Sequence, residues 1–271
     1  MKKAYVILGM HRSGTSSVAG ALAKLGATAP KTLMGPAEDN PKGFWESYAV
    51  SNLNDQILAA GGSNWSDWRT FPISVSELFL QDGLDVLRAE FENAQTIVLK
   101  DPRICRLYPF WRDVLRQAGY SPIIVAPVRH PAEVQASLTR RNDMAAADAI
   151  RLWLRHVLDA ERFSRGQDRL WILWLDFLAD WSAQLRKLER LASVDLSLND
   201  PEVAKRVSAF LSPDLQNHRC DVGFESPSLQ HEVFSTLGAM ARKGEMPALL
   251  EQLDDQRRRF DEAVNVNPLP N

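Results

Sequence analysis

The chain has 271 residues, 45% of them hydrophobic and 24% charged, with a formal net charge of −2. That length buries one sizeable core, and the near-neutral balance excludes a whole-surface affinity for nucleic acid or anionic lipid, so any basic site must be local. Two cysteines, Cys105 and Cys220, are too few for a disulfide framework and carry no paired metal spacing, so reduced thiols are expected.

In chain order, the start MKKAYVILGMHR has a basic tip, but its apolar run is too short for a signal sequence and no small-residue cleavage site follows. Residues 4–8 predict a buried strand instead. Residues 16–25 predict a helix with Val18, Leu22 and Leu25 on one stripe. Residues 26–80 form a long excursion: a loop, a helix over Tyr48–Ala60, and the aromatic stretch NWSDWRTF. An excursion of that length is where substrate is commonly gripped. Further strands are predicted at 96–99, 122–128 and 170–175. Helices are predicted at 106–118, 132–140, 145–165 and 179–192. Strand alternating with helix argues for parallel strands joined by crossovers. Beyond 195 the pattern is helical, with Leu249, Leu253, Gln256, Phe260 and Val264 on one stripe. The expectation is a single α/β domain over 1–271: a core over 1–195 with the 26–80 insertion on its substrate side, then a helical tail over 196–271. The architecture is a three-layer sandwich with a central parallel sheet and a phosphate-type loop, like the nucleotide kinases. No run approaches the roughly 18 apolar residues of a membrane span, so a soluble cytoplasmic protein is expected.

The stretch GMHRSGTS, residues 9–16, ends the first strand and opens the first helix. Gly9, four residues, Gly14 and then hydroxyl residues reproduce the spacing of a phosphate-binding loop. Such a loop aims backbone N–H groups and the positive end of a helix dipole at one anion. The lysine of a nucleoside-triphosphate loop is missing: Thr15 stands in its place, and the nearest cation is Arg12. No acidic strand end offers itself to magnesium, because the second strand ends in Lys100. These two absences argue against a kinase or NTPase.

The run Arg12-Ser13-Gly14-Thr15-Ser16 resembles the first signature of the sulfotransferases that use 3′-phosphoadenosine 5′-phosphosulfate (PAPS). Their second signature is a strand-ending arginine with a serine in the following helix. VRHPAEVQAS resembles it, through Arg129 and Ser137. LKDPR at 99–103 is similar to the lysine-bearing strand end of the glycan and tyrosylprotein types. The resemblance covers about residues 4–195. It implies that His11, Arg12, Ser13, Gly14, Thr15 and Ser16 hold the 5′-phosphosulfate, and that Arg129 and Ser137 hold the 3′-phosphate. It also implies that Arg12 and Lys100 stabilise charge on the transferring group and leaving oxygen, with no metal required.

The acceptor hydroxyl needs a base. Glutamates in the segment after the first helix serve in related types, and Glu46 in NPKGFWES is preferred over Glu38, with His11 as the rival. Aromatic packing would raise the pKa of Glu46 toward a useful value. Trp45, Trp65, Trp68 and Phe71 offer faces for an acceptor ring or for the core. The implied acceptor is a glycan, glycolipid or small metabolite, with no nucleic acid partner. The competing readings are a P-loop kinase or NTPase, and a non-catalytic nucleotide-binding protein on the same fold.

Overall fold

The computed structural model describes residues 2–37, 40, 42–211 and 228–266. Glu38, His218 and Cys220 lie outside them.

The sheet is built from β1 (Lys2–Ile7), β2 (Thr96–Lys100), β3 (Tyr120–Val128) and β4 (Arg169–Leu173), all parallel in the order β2-β1-β3-β4. Side chains alternate faces along a strand, and both faces here are buried. Ala4, Val6, Ile97, Leu99, Ile124, Ala126, Trp171 and Leu173 enter one core layer. Tyr5, Ile7, Val98, Ile123, Val125, Leu170 and Ile172 enter the other. This explains why the strands read as unbroken apolar runs rather than as polar–apolar alternation.

On one face lie α2 (Tyr48–Ala60), α3 (Leu80–Phe91), α4 (Ile104–Gln117), α5 (Pro131–Asn142) and α6 (Ala146–Ser164). On the other lie α1 (Thr15–Lys24), α7 (Trp174–Ala179), α8 (Trp181–Ala192) and α9 (Pro201–Phe210). The result is the expected three-layer sandwich. The final helices α10 (Leu229–Lys243) and α11 (Pro247–Val266) are part of the first layer, where Val233, Leu237, Leu253, Phe260 and Val264 are buried. The anticipated tail stripe therefore faces the core. Arg155 on α6 locks α11 in place through Asp261, at 2.6 Å.

Three local expectations change. The run 170–175 is not all strand: β4 ends at Leu173, and Trp174 starts α7. The helix expected at 179–192 is α8 and starts at Trp181, because Asp180 leaves helical geometry and caps it, accepting from the Ala183 amide at 2.9 Å. Helix α4 begins earlier than expected and is kinked at Leu107 beside Pro109, whose missing N–H breaks the ladder. A short 3-10 turn over Ile73–Phe79 and α3 complete the excursion without a strong sequence signal.

Candidate functional site

The loop between β1 and α1 is shaped by two left-handed residues, Arg12 at φ 67° and Gly14 at φ 85°. Gly14 is required twice over, since a Cβ there would sit 2.1 Å from the Trp174 ring. Gly9 is required by approach: a Cβ would lie 2.7 Å from Cγ2 of Thr15 and 3.1 Å from the Pro127 carbonyl oxygen. The turn opens directly into α1, whose first-turn amides have no intrahelical acceptor. Ser13 is buried, and its Oγ has no hydrogen-bond partner among the described residues. A buried hydroxyl without a partner beside a helix N-terminus fits an anion.

The downstream arginine and serine meet this loop directly. Arg12 Nε donates to Ser137 Oγ at 2.8 Å, across 125 residues. Arg129 Nη1 donates to the Arg12 carbonyl oxygen at 3.1 Å, across 117 residues. β3 delivers Arg129, and α5, with Pro131 in its first turn and the His130 Nδ1 accepting from Ala132 N, delivers Ser137. Sequence reasoning missed Glu133, one turn beyond Arg129. Its Oε2 accepts from Arg129 Nε at 2.6 Å and fixes the direction of the guanidinium. The i, i+4 spacing of Arg129 and Glu133 was the available signal.

The second cluster centres on Lys100 at the end of β2. Its Nζ pairs with Glu46 Oε1, donates to the Phe44 carbonyl oxygen at 3.0 Å, and lies 3.4 Å from Ser16 Oγ. Ser16 Oγ itself donates to Phe44 O at 3.0 Å. The structure thus brings Ser16 of the loop, Lys100 and Glu46 together from three distant segments. The adjacent Asp101 is buried and pairs with Arg103, at 2.9 Å. Burial pushes the Glu46 carboxyl above its ordinary value, and the Asp101 charge adds to this, while Lys100 pulls the other way.

Glu46 is held by its neighbours. Its carbonyl accepts from Met34 N at 2.8 Å. Ser47 caps α2 through Val50 N at 3.1 Å and meets Thr32 Oγ1. Thr32 is pinned by the buried Glu90, through its amide at 3.0 Å and its hydroxyl at 2.8 Å.

Beside this cluster opens a cleft of about 320 Å³, lined by His11, Phe44, Glu46, Trp65, Arg103 and Arg141 among others. Of the aromatic residues considered from sequence, Trp65 lines it. Trp45 packs edge-on against Phe210, with their ring centroids 5.6 Å apart. Trp68 is buried in the first core layer, and Phe71 packs against Gly61. Phe44, not considered from sequence, takes their place in the cleft under Arg141, at 5.3 Å. His11 is neutral: burial and the nearby His156, Arg103, Lys100 and Arg141 hold it well below its ordinary value. Among the described residues no three His, Cys, Asp or Glu side chains converge as metal ligands, and no helix is long and apolar enough to cross a membrane.

Fold and site together define an α/β protein in which the glycine turn after β1 and the Lys100 cluster sit at the carboxyl ends of the strands, where open α/β sheets hold ligands. No family model matches the chain, and no curated protein matches it. Among solved structures, the sulfotransferase domain from the curacin biosynthetic pathway aligns over 100% of this chain and 99% of its own, at 14% identity and a TM-score of 0.47. The sulfotransferase domain of the Synechococcus PCC 7002 olefin synthase aligns over 99% and 95%, at 15% identity and 0.42. Mouse sulfotransferase SULT7A1, complexed with PAP, aligns over 98% and 87%, at 15% identity and 0.43. All three are sulfotransferases or sulfotransferase domains.

Proposed function

We propose that this protein is a sulfotransferase that moves the sulfuryl group of PAPS to an acceptor hydroxyl. One observation carries the reading: the two signature segments, far apart in sequence, are joined by Arg12 to Ser137 and by Arg129 to the Arg12 carbonyl. A loop that held only a 5′-phosphate would not need a second arginine and a serine at its flank. A donor with a second phosphate on its ribose does.

The donor supplies an activated sulfuryl group, whose S–O bond to phosphate breaks as a new S–O bond to the acceptor oxygen forms. Transfer of this kind rests on positioning and on charge stabilisation of the moving group and the leaving oxygen. The loop amides, Ser13 and Thr15 bind the 5′ side. Arg12 and Lys100 face the charge that develops there. Arg129 and Ser137 hold the 3′-phosphate, with Glu133 orienting Arg129. Glu46 takes the acceptor's proton, and the buried, partly aromatic wall behind it keeps its carboxyl basic enough to do so. The cleft beside Glu46 receives the acceptor, a small hydroxyl compound or saccharide.

Thermal stabilisation tests the donor half. The product nucleotide, 3′-phosphoadenosine 5′-phosphate, is expected to raise the melting temperature without magnesium, by the mass action of a native-state ligand. ATP with magnesium is expected to have little effect. Transfer of labelled sulfate from PAPS across an acceptor library tests the chemistry. Stabilisation by magnesium-ATP with no response to the 3′-phosphorylated nucleotide would replace this reading with a kinase.

A further inference from the structure

Two histidines meet beside the acceptor cleft. His11 lines the cleft, with its ring centroid 5.2 Å from that of Trp65. His156, in the middle of α6, is fully buried, and its ring stands edge-on to His11 at 6.0 Å. His156 Nδ1 lies 2.9 Å from the Leu152 carbonyl oxygen. A carbonyl only accepts, so Nδ1 carries the proton and Nε2 is a lone pair. That Nε2 and Nδ1 of His11 are both buried, and neither has a hydrogen-bond partner among the described residues. Buried polar atoms without partners are rare, and each calls for a reason. The two rings, 6.0 Å apart between centroids, make no bond as they stand, but a closer approach with His11 Nδ1–H donating to His156 Nε2 would satisfy both. Such bonds are often loose before substrate binds.

The surroundings keep both rings uncharged. His11 faces His156 on α6, Arg103 just before α4, Lys100 on β2 and Arg141 on α5. His156 faces Arg106, Arg103 and Arg155, and its pKa is lowered to about 3, chiefly by burial. Neutral imidazoles have one donor and one acceptor each, so fixing the proton of His11 on Nδ1 leaves its Nε2 as an acceptor on the cleft side. Glu46, on the same cleft, is a second acceptor.

We infer that His156 is a positioning residue that holds His11 in the Nδ1–H tautomer, so that His11 Nε2 receives a second donor beside the reacting hydroxyl. The acceptor substrate then belongs to the vicinal diols or amino alcohols, as a saccharide does: one group yields its proton to Glu46 and its neighbour donates to His11. This rests on the sulfuryl-transfer reading, and the aromatic faces of Trp65 and Phe44 suit the ring of such a compound.

Nitrogen-15 spectra of the histidine-labelled protein read the tautomer directly. His11 is expected to show a protonated Nδ1 and a bare Nε2. His156→Phe is expected to mix the tautomers, and His156→Gln, whose amide oxygen accepts, to restore the single form. With PAPS, a vicinal diol acceptor is expected to exceed its mono-deoxy analogue by about tenfold in kcat/KM, the scale of one neutral hydrogen bond. His156→Phe is expected to reduce that ratio toward one while stabilisation by 3′-phosphoadenosine 5′-phosphate persists. A protonated His11 Nε2 in the unsubstituted protein, or equal turnover of diol and deoxy acceptors, overturns the inference. Both measurements stand even where His156→Phe fails to fold. A protein that no 3′-phosphorylated nucleotide stabilises loses the sulfuryl-transfer reading and the diol assignment with it, whereas the tautomer is still decided by the spectrum.

Discussion

In the proposed sulfotransferase, the donor side and the acceptor side of the site are built differently. The donor side is two contiguous segments, 9–16 and 129–137, each a strand end running into a helix, clasped by Arg12, Ser137 and Arg129. The acceptor side is assembled from single residues on separate elements: His11, Glu46, Trp65, Arg103 and Arg141. A strand–turn–helix unit fixes its own backbone, so an anion cradle survives in a short string of residues. A cleft made of side chains from many elements has no such local code and varies with its loops.

Glu46→Gln attacks the acceptor side with the largest expected effect. Removing a general base costs about a hundred- to ten-thousandfold in turnover, while the amide still accepts from Lys100 and donor binding persists. The sign of the pH dependence follows from burial. The folded-state carboxyl titrates above the ordinary glutamate value, so activity falls as pH drops through that raised value. The acid limb is expected to lie above where an exposed glutamate would place it and to vanish in the glutamine variant. Initial rates across pH check both points.

Arg129→Ala combined with Ser137→Ala attacks the donor side. Charge-assisted bonds are worth about 1.5–3 kcal/mol, so affinity for 3′-phosphoadenosine 5′-phosphate is expected to fall about tenfold or more. Adenosine 5′-phosphate, lacking the second phosphate, should lose much less. Equal losses for both nucleotides, measured by calorimetry, would show that the pair supports the loop rather than reading the phosphate.

A further effect concerns stability beside the acceptor cleft. The pKa of His156 is depressed from 6.5 to about 3, so it favours the neutral folded state. Its contribution is complete above about 6.5 and is lost as pH falls toward 3. Melting temperature is expected to decline over that window, and less steeply in a folded His156→Gln variant.

Charge partners show where sequence reading runs short. Lys100 was legible as a strand-end cation, yet its partner is Glu46, more than fifty positions away, and not the adjacent Asp101. Trp45 and Trp65 lie in similar aromatic stretches, but one packs on Phe210 and the other lines the cleft. Of the consecutive arginines on α11, Arg257 turns toward Asp254 and Glu161 while its neighbour Arg258 stays exposed.

The sequence by itself determined the parallel α/β plan and the glycine turn that joins β1 to α1, because strand burial, helix periodicity and turn chemistry are all properties of neighbouring residues. It also placed the final helical stripe. Tertiary structure alone decided that Arg12 meets Ser137, that Glu133 steers Arg129, and that Glu46, Lys100 and Ser16 share one corner beside two neutral histidines. Those contacts depend on how strands are ordered and how an excursion folds back over them, and side-chain packing across long sequence separations leaves no periodic trace along the chain.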